Sequence, residues 1–301
     1  MPVSPKPPPL SEVYQRAWKS CVDLWPLFVL RFVFLVLNFG AMILCILLVF
    51  GSLILNLFKG LRGLGPNEVQ DYIKNFDFSG FVHDPGWLVS AVGIFFLYFV
   101  WWMLLENLFS AGLYRRLWDH QKNGVGFRLG QFFADGIQYF LPMLGLCLLL
   151  IFSNLFILAF LLVAAIVLGI LFKALGIIWL GILLMIPGFF FFMFLMLAII
   201  TIWYLANAYV MEGFGVFGSF KRGFLKCKEN MGRVIWGLLV VWIGYFMVSF
   251  SSQVILGLFS HAPLIGLLFL FLEMCVNLSL AVLIWVFVPS LAVVFLLEPE
   301  A

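Results

Sequence analysis

Three times along the chain, a short segment with apolar residues on one helical face leads straight into a long apolar run. In the first, Leu10, Val13, Tyr14, Ala17, Trp18, Cys21, Val22 and Trp25 follow the i, i+3, i+4, i+7 rule, with Glu12, Arg16, Lys19 and Asp23 opposite. In the second, Leu129, Phe132, Phe133, Ile137 and Phe140 form the stripe against Arg128, Gln131, Asp135 and Gln138. In the third, Phe217, Phe220, Phe224 and Met231 align against Lys221, Arg222, Lys226 and Glu229. The pattern predicts helices over 10–23, 127–138 and 216–231 that lie in a membrane interface, apolar face down and charged face in water.

A bilayer crossing needs about 20 apolar residues. Runs over 27–58, 87–110, 139–172, 177–210, 234–259 and 267–297 meet that length. The expected fold class is therefore an all-α integral membrane protein with six transmembrane helices arranged as three hairpins. Each hairpin is preceded by a cytoplasmic amphipathic interfacial helix. The hairpins cover roughly 10–115, 126–212 and 213–297 of a single membrane domain, 10–301, which follows a flexible proline-rich tail, 1–9. Only Lys173 to Gly176 separates the third run from the fourth, and Pro187-Gly188 predicts a kink inside the fourth. The first two repeats match in detail: Pro26 and Asn38 recur as Pro142 and Asn154, 116 residues on. The third carries Gly232-Arg233 in place of the proline.

Composition supports a bilayer as solvent. The chain is 65% hydrophobic and 10% charged, with a mean hydropathy of +1.16, whereas soluble domains carry roughly 25% charge. The N-terminus lacks a signal-peptide pattern, so the first span is expected to be retained. A net charge of +3, widely dispersed, does not suggest nucleic acid as a partner. Of the 17 basic residues, 13 fall on one side of the expected topology: Lys6, Arg16, Lys19 and Arg31, then Arg115, Arg116, Lys122 and Arg128, then Lys221, Arg222, Lys226, Lys228 and Arg233. The positive-inside rule places that side, with both termini, in the cytoplasm. The first outside connection, from Lys59 to Gly86, holds an expected short surface helix near Pro66 and the loosely spaced Asp77, His83 and Asp84.

Intramembrane polar residues are the natural place to look for chemistry, because burying them is costly. Glu106 with Asn38, Asn107, Asn154 and Asn207 could form one polar layer between helices. The functional version of that layer is a cavity for an ion or polar head group. The plainer version is interhelical hydrogen bonding, about 0.6 kcal/mol per bond. Glu273 and Asn277 form a second i, i+4 pair, whereas Arg31 and Lys173 sit near span ends and can snorkel. The candidate contacts for lipid head groups or a protein partner are Arg16, Lys19, Arg115, Arg116, Arg128, Lys221, Arg222 and Lys226. Five scattered cysteines with no CxxC pair suggest neither a disulfide framework nor a metal cluster, and no cofactor is expected. No HExxH, GxSxG or P-loop motif occurs. Gly213-Phe-Gly215-Val-Phe-Gly218 spells GxGxxG but follows a membrane helix rather than a strand. Its glycines are read as the turn into the third short helix.

The stretch from Tyr209-Val-Met-Glu-Gly213 through Ser219-Phe-Lys-Arg-Gly-Phe to Asn230-Met-Gly-Arg233-Val resembles the membrane domain found beside some glycerophosphoryl diester phosphodiesterases, and related stand-alone six-helix prokaryotic proteins. Gly112-Leu-Tyr-Arg115, Phe132-Phe133-Ala-Asp-Gly136 and Val288-Pro289-Ser-Leu-Ala-Val extend the similarity. The resemblance implies a multi-pass protein of a prokaryotic cytoplasmic membrane. It does not imply phosphodiesterase activity, since no soluble catalytic domain is present in this chain. The expected function is a non-enzymatic accessory or membrane-organising protein that meets membrane lipids, anionic ones included, or a protein partner or second copy through its amphipathic helices. The alternative is a small transporter or channel built around Glu106. A lipid-acting enzyme is the third and weakest reading.

Overall fold

A computed structural model describes residues 8–62, 85–174, 176, 178–259 and 263–298. The expected surface helix near Pro66 and the external Asp77, His83 and Asp84 lie outside the described residues. Among the described residues the chain is helical throughout, in nine helices: α1 (Leu10–Asp23), α2 (Pro26–Leu61), α3 (Pro85–Asn123), α4 (Leu129–Gln138), α5 (Phe140–Ala174), α6 (Ile178–Val210), α7 (Val216–Glu229), α8 (Met231–Phe259) and α9 (Pro263–Leu297).

Local sequence sets the boundaries. Pro9, in extended conformation, stands just before α1, while α2, α3 and α9 each open on a proline. A missing N–H costs nothing there, and the fixed φ is already helical. α3 stops at Gly124 (φ 65°), whose N–H closes on the His120 carbonyl at 2.9 Å. α6 stops at Gly213 (φ 89°), bonded to the Val210 carbonyl at 2.9 Å. This is the turn that the glycine spacing predicts. α6 itself continues unbroken through Pro187. The largest boundary difference is at α3, which runs on to Asn123, 13 residues beyond the predicted end of its span at 110. The apolar run ends there, but nothing in the following residues breaks a helix until Gly124, so hydropathy and helix end separately.

Six helices carry segments apolar and long enough to cross a bilayer: Pro26–Gly51, Pro85–Asn123, Phe140–Ala174, Phe190–Val210, Met231–Ser251 and Leu272–Leu297. Their large side chains are widely exposed, Phe156 by 74% and Leu97 by 68%. In water this surface would aggregate, whereas in lipid it is the ordinary outer face. The chain is a multi-pass membrane protein.

Contacts divide it into two compact units. The smaller, Phe32–Glu106, contains most of α2 and the first part of α3. There the Trp87 indole donates to the Val49 carbonyl at 3.1 Å and stacks edge-on against Phe50. The larger comprises Met1–Arg31 and Asn107–Ala301. Within it α6 packs against α5, α7, α8 and α9, α8 packs against α9, and α1 packs against α9. Leu205, Ala206, Val286, Val288, Leu291 and Val293 are buried at the centre of this unit.

Candidate functional site

Each short helix in the larger unit is seated by small residues. On α4, Gly136 lies so close to the Leu108 carbonyl that a Cβ would stand 3.0 Å from it. On α7, a Cβ on Gly223 would stand 2.9 Å from both the Ala206 nitrogen and the Ile202 oxygen of α6. On α1, the Ala17 carbonyl accepts from Ser290 Oγ of α9 at 3.0 Å, and the Tyr14 hydroxyl donates to the Gly237 carbonyl of α8 at 2.7 Å. Small side chains allow the backbones to approach, and buried polar groups are matched where they meet.

Apart from Phe132 of α4, which is fully buried against α3, many of the large apolar side chains of the same helices point elsewhere. Trp18, Val22 and Trp25 are exposed beside α1, Leu129, Phe133 and Ile137 on α4, and Phe217 and Phe224 on α7. The single apolar stripe predicted for each helix is therefore two faces. One faces protein (Val13, Ala17 and Cys21 on α1, Phe132 and Gly136 on α4), and the other is large and exposed. Periodicity alone cannot separate them, since both recur every three to four residues.

Charge separates the three helices. α1 holds Arg16 and Lys19 against Glu12 and Asp23, with Arg16 paired to Glu12 and Asp23 facing His120 at 3.3 Å. α4 holds only Asp135. α7 holds Lys221, Arg222, Lys226 and Lys228 against Glu229 alone.

Several candidate basic residues are engaged internally. Arg116 is 5% exposed, donates to Gln131 at 2.8 Å, and is paired with Asp119 at 3.0 Å and with Asp135. It ties α3 to α4 rather than presenting its charge outward. Arg115 meets Asp119 at 3.2 Å, donates to the Met211 carbonyl at 3.3 Å and lies over the Tyr139 ring. Lys226, also 5% exposed, donates to the Glu298 carbonyl at 3.4 Å. Arg16, Lys19, Arg128, Lys221 and Arg222 are exposed.

Around α7 the exposed charges meet a groove of about 430 Å³, lined by Tyr209, Gly218, Lys221, Arg222, Leu225, Lys226 and Glu229. The Arg222 guanidinium lies 3.7 Å above the Phe214 ring, which fixes its position. Sequence reasoning found the cations of this groove but not Tyr209 or Gly218, because a groove between the end of α6 and α7 has no periodic signature.

Other polar residues knit the termini together. Arg233 pairs with Glu298 at 3.0 Å and also donates to the Pro8 carbonyl. Burial raises the Glu298 carboxyl above its ordinary value, against the opposing pull of Arg233, Lys226 and Arg16. Burial also pushes the Cys21 thiol up to about 12, partly offset by the Ser290 hydroxyl, and the Cys227 thiol up to about 11.

The polar residues of the spans are distributed as follows. In the smaller unit, Glu106 is buried and Asn38 is half-buried, its Oδ1 meeting no hydrogen-bond partner. In the larger unit, Asn107 is 4% and Asn207 1% exposed. Asn207 faces the Tyr114 hydroxyl without ordinary hydrogen-bond geometry, and that hydroxyl donates to the Tyr204 carbonyl at 3.3 Å. Asn154 is half-buried, its Oδ1 also unmatched. Asn277 accepts from Ser249 at 3.2 Å, joining α9 to α8, and Glu273 is half-buried one turn before it. Arg31, expected to snorkel, is instead 5% exposed, held between the rings of Phe109 at 5.0 Å and Trp285 at 4.5 Å. Two aromatic faces lie against its guanidinium.

No protein-family profile, curated protein or solved structure matches this chain. Among the described residues, no three His, Cys, Asp or Glu side chains gather in a metal-binding arrangement.

Proposed function

We propose that this multi-pass protein is a non-enzymatic accessory or membrane-organising protein of a cytoplasmic membrane, working at the membrane surface through α1, α4 and α7. The observation that carries this reading is the uncovered apolar face on each short helix, Trp18 and Val22, Phe133 and Ile137, Phe217 and Phe224. Burying such faces in the acyl boundary removes them from water, at about 25 cal/mol per Å² of apolar surface. The small-residue seats hold each helix against the bundle while that face meets lipid. The basic residues of the three connections support a cytoplasmic position for this surface. The balanced charge of α1 suits an anchoring collar, and the excess of cations on α7 suits recognition of an anionic surface.

Native mass spectrometry on protein extracted in native-lipid discs tests this reading. A stoichiometric protein partner or a retained set of anionic lipids is the expected result. A lone protein that passes ions across liposomes, with flux abolished by Glu106→Gln, would overturn it in favour of a channel.

A further inference from the structure

We infer that the groove between the end of α6 and α7 is a binding site for a phosphate-bearing anion. Its cations are Lys221, Arg222 and Lys226. This inference rests on the membrane-surface reading above and deepens it by naming the place and chemistry of recognition.

Four observations converge. The groove, about 430 Å³, is large enough for a phosphate with part of its ester substituent. Among the described residues, neither Lys221 nor Arg222 has a carboxylate within 4.0 Å, while Arg16, Arg115, Arg116 and Arg233 all do. Lys226 sits in the wall of the groove at 5% exposure, where its ammonium donates to the Glu298 backbone carbonyl at 3.4 Å, and the carboxylate of that residue, itself paired with Arg233, lies near enough to feel its charge. With that carboxylate already paired to Arg233, the poorly hydrated Lys226 ammonium retains attraction for an anion in the groove. Finally, the geometry is fixed: the Gly223 contact locks α7 on α6, and Phe214 braces the Arg222 guanidinium at 3.7 Å. Arg222 can then offer paired N–H donors to phosphate oxygens, with Lys221 and Lys226 as point charges. Glu229 also lines the groove and opposes an anion, so the lining holds three cations and one acid, with the Glu298 carboxylate, paired to Arg233, behind Lys226. Leu225 in the groove, and Phe217 exposed on the same helix, give an apolar lip beside the charged floor. That lip is what an acylated glycerol would lie on and what free phosphate would not need.

The test uses the full chain, delipidated in detergent and titrated in native mass spectrometry with short-chain phosphatidic acid, short-chain phosphatidylcholine and inorganic phosphate. The double variant Lys221→Ala/Arg222→Ala removes two exposed cations. Arg16→Ala/Lys19→Ala removes the same charge from α1, and Glu229→Gln removes the opposing acid. We expect phosphatidic acid to bind in preference to phosphatidylcholine, about tenfold more weakly to the α7 double variant, unchanged by the α1 double variant, and several-fold more tightly to Glu229→Gln. Inorganic phosphate competing at equal concentration, with the same sensitivity to the variants, supports the site and assigns it to a free phosphoryl anion. Weak competition assigns it to a lipid. Equal weakening by both double variants overturns the groove while leaving a general attraction to anionic membranes standing. Absence of any preference for phosphatidic acid overturns the groove and removes the anionic-surface part of the function with it.

Discussion

Gly112 of α3 and Phe132 of α4 approach so closely that a Cβ on Gly112 would lie 2.6 Å from the Phe132 carbonyl oxygen and 2.9 Å from its ring. Hydrogen is the only substituent that fits, and the neighbour that would have to move is backbone. Gly112→Ala should therefore lift α4 from its seat and cost about 1–3 kcal/mol of stability. Thermal unfolding followed by size-exclusion chromatography would show a lowered midpoint. An unchanged midpoint would mean that α4 is not docked as described.

Arg116 binds Asp119, Asp135 and Gln131 at 5% exposure. Removing one member of a buried charged network leaves the others unmatched. Arg116→Met should cost about 3 kcal/mol or more, and Asp135→Asn less, since Asp119 remains to balance the arginine. The two together should cost less than their sum. Additive losses in denaturant titration would argue against a shared network.

Arg31 sits between two ring faces, those of Phe109 and Trp285. Trp285→Leu keeps apolar volume but removes one face of the sandwich, so a loss of about 1–2 kcal/mol is expected. Arg31→Lys should also destabilise, because a compact, strongly hydrated ammonium stacks poorly on rings. Equal stability of Arg31→Lys and the parent chain would show that the stacking contributes nothing.

Cys21 and Cys227 are buried, with thiols pushed up to about 12 and about 11. The thiolate is the nucleophile, so neither should react with iodoacetamide at pH 8 in the folded protein, and both should react after denaturation. Peptide mapping by mass spectrometry decides this. Fast alkylation of Cys21 would mean that α1 leaves α9 readily.

Glu298 gives a pH dependence with a defined sign. Folding raises its carboxyl above the ordinary 4.5, so the folded chain holds that proton more tightly than the unfolded one. The resulting stability is fully present below about pH 4.5 and is lost as pH rises through the folded value. Glu298→Gln, a permanent mimic of the protonated form, should flatten stability across that window. A variant with the same pH profile as the parent would place the titration elsewhere.

The six apolar helices and the three short ones are legible in the sequence because each rests on a local period or a local length. Leu10–Asp23 matches its predicted bounds outright, since Pro9 and Pro26 bracket it. The extension of α3 to Asn123 is not legible from hydropathy, because Arg115, Arg116 and Asp119 end the apolar run while continuing the helix. Nor can the fates of the basic residues be told apart by type. Lys221 and Lys226 share a spacing rule and a charge, yet one is exposed and the other enclosed by α6, α7 and the Glu298 carbonyl. What separates them is tertiary contact with residues far away in the chain.

The seat of α1 has a consequence in time. Ser290, whose hydroxyl donates to the Ala17 carbonyl, is synthesised 273 residues later. α4 and α7 can each settle on a span already made, but α1 leaves the ribosome with no protein to cover Val13, Ala17 and Cys21. Until α9 is inserted, those residues must wait against lipid or a chaperone. Assembly of the larger unit is thus completed at its earliest helix, and a ribosome stalled before α9 would leave α1 with only its contacts to α3 and α8.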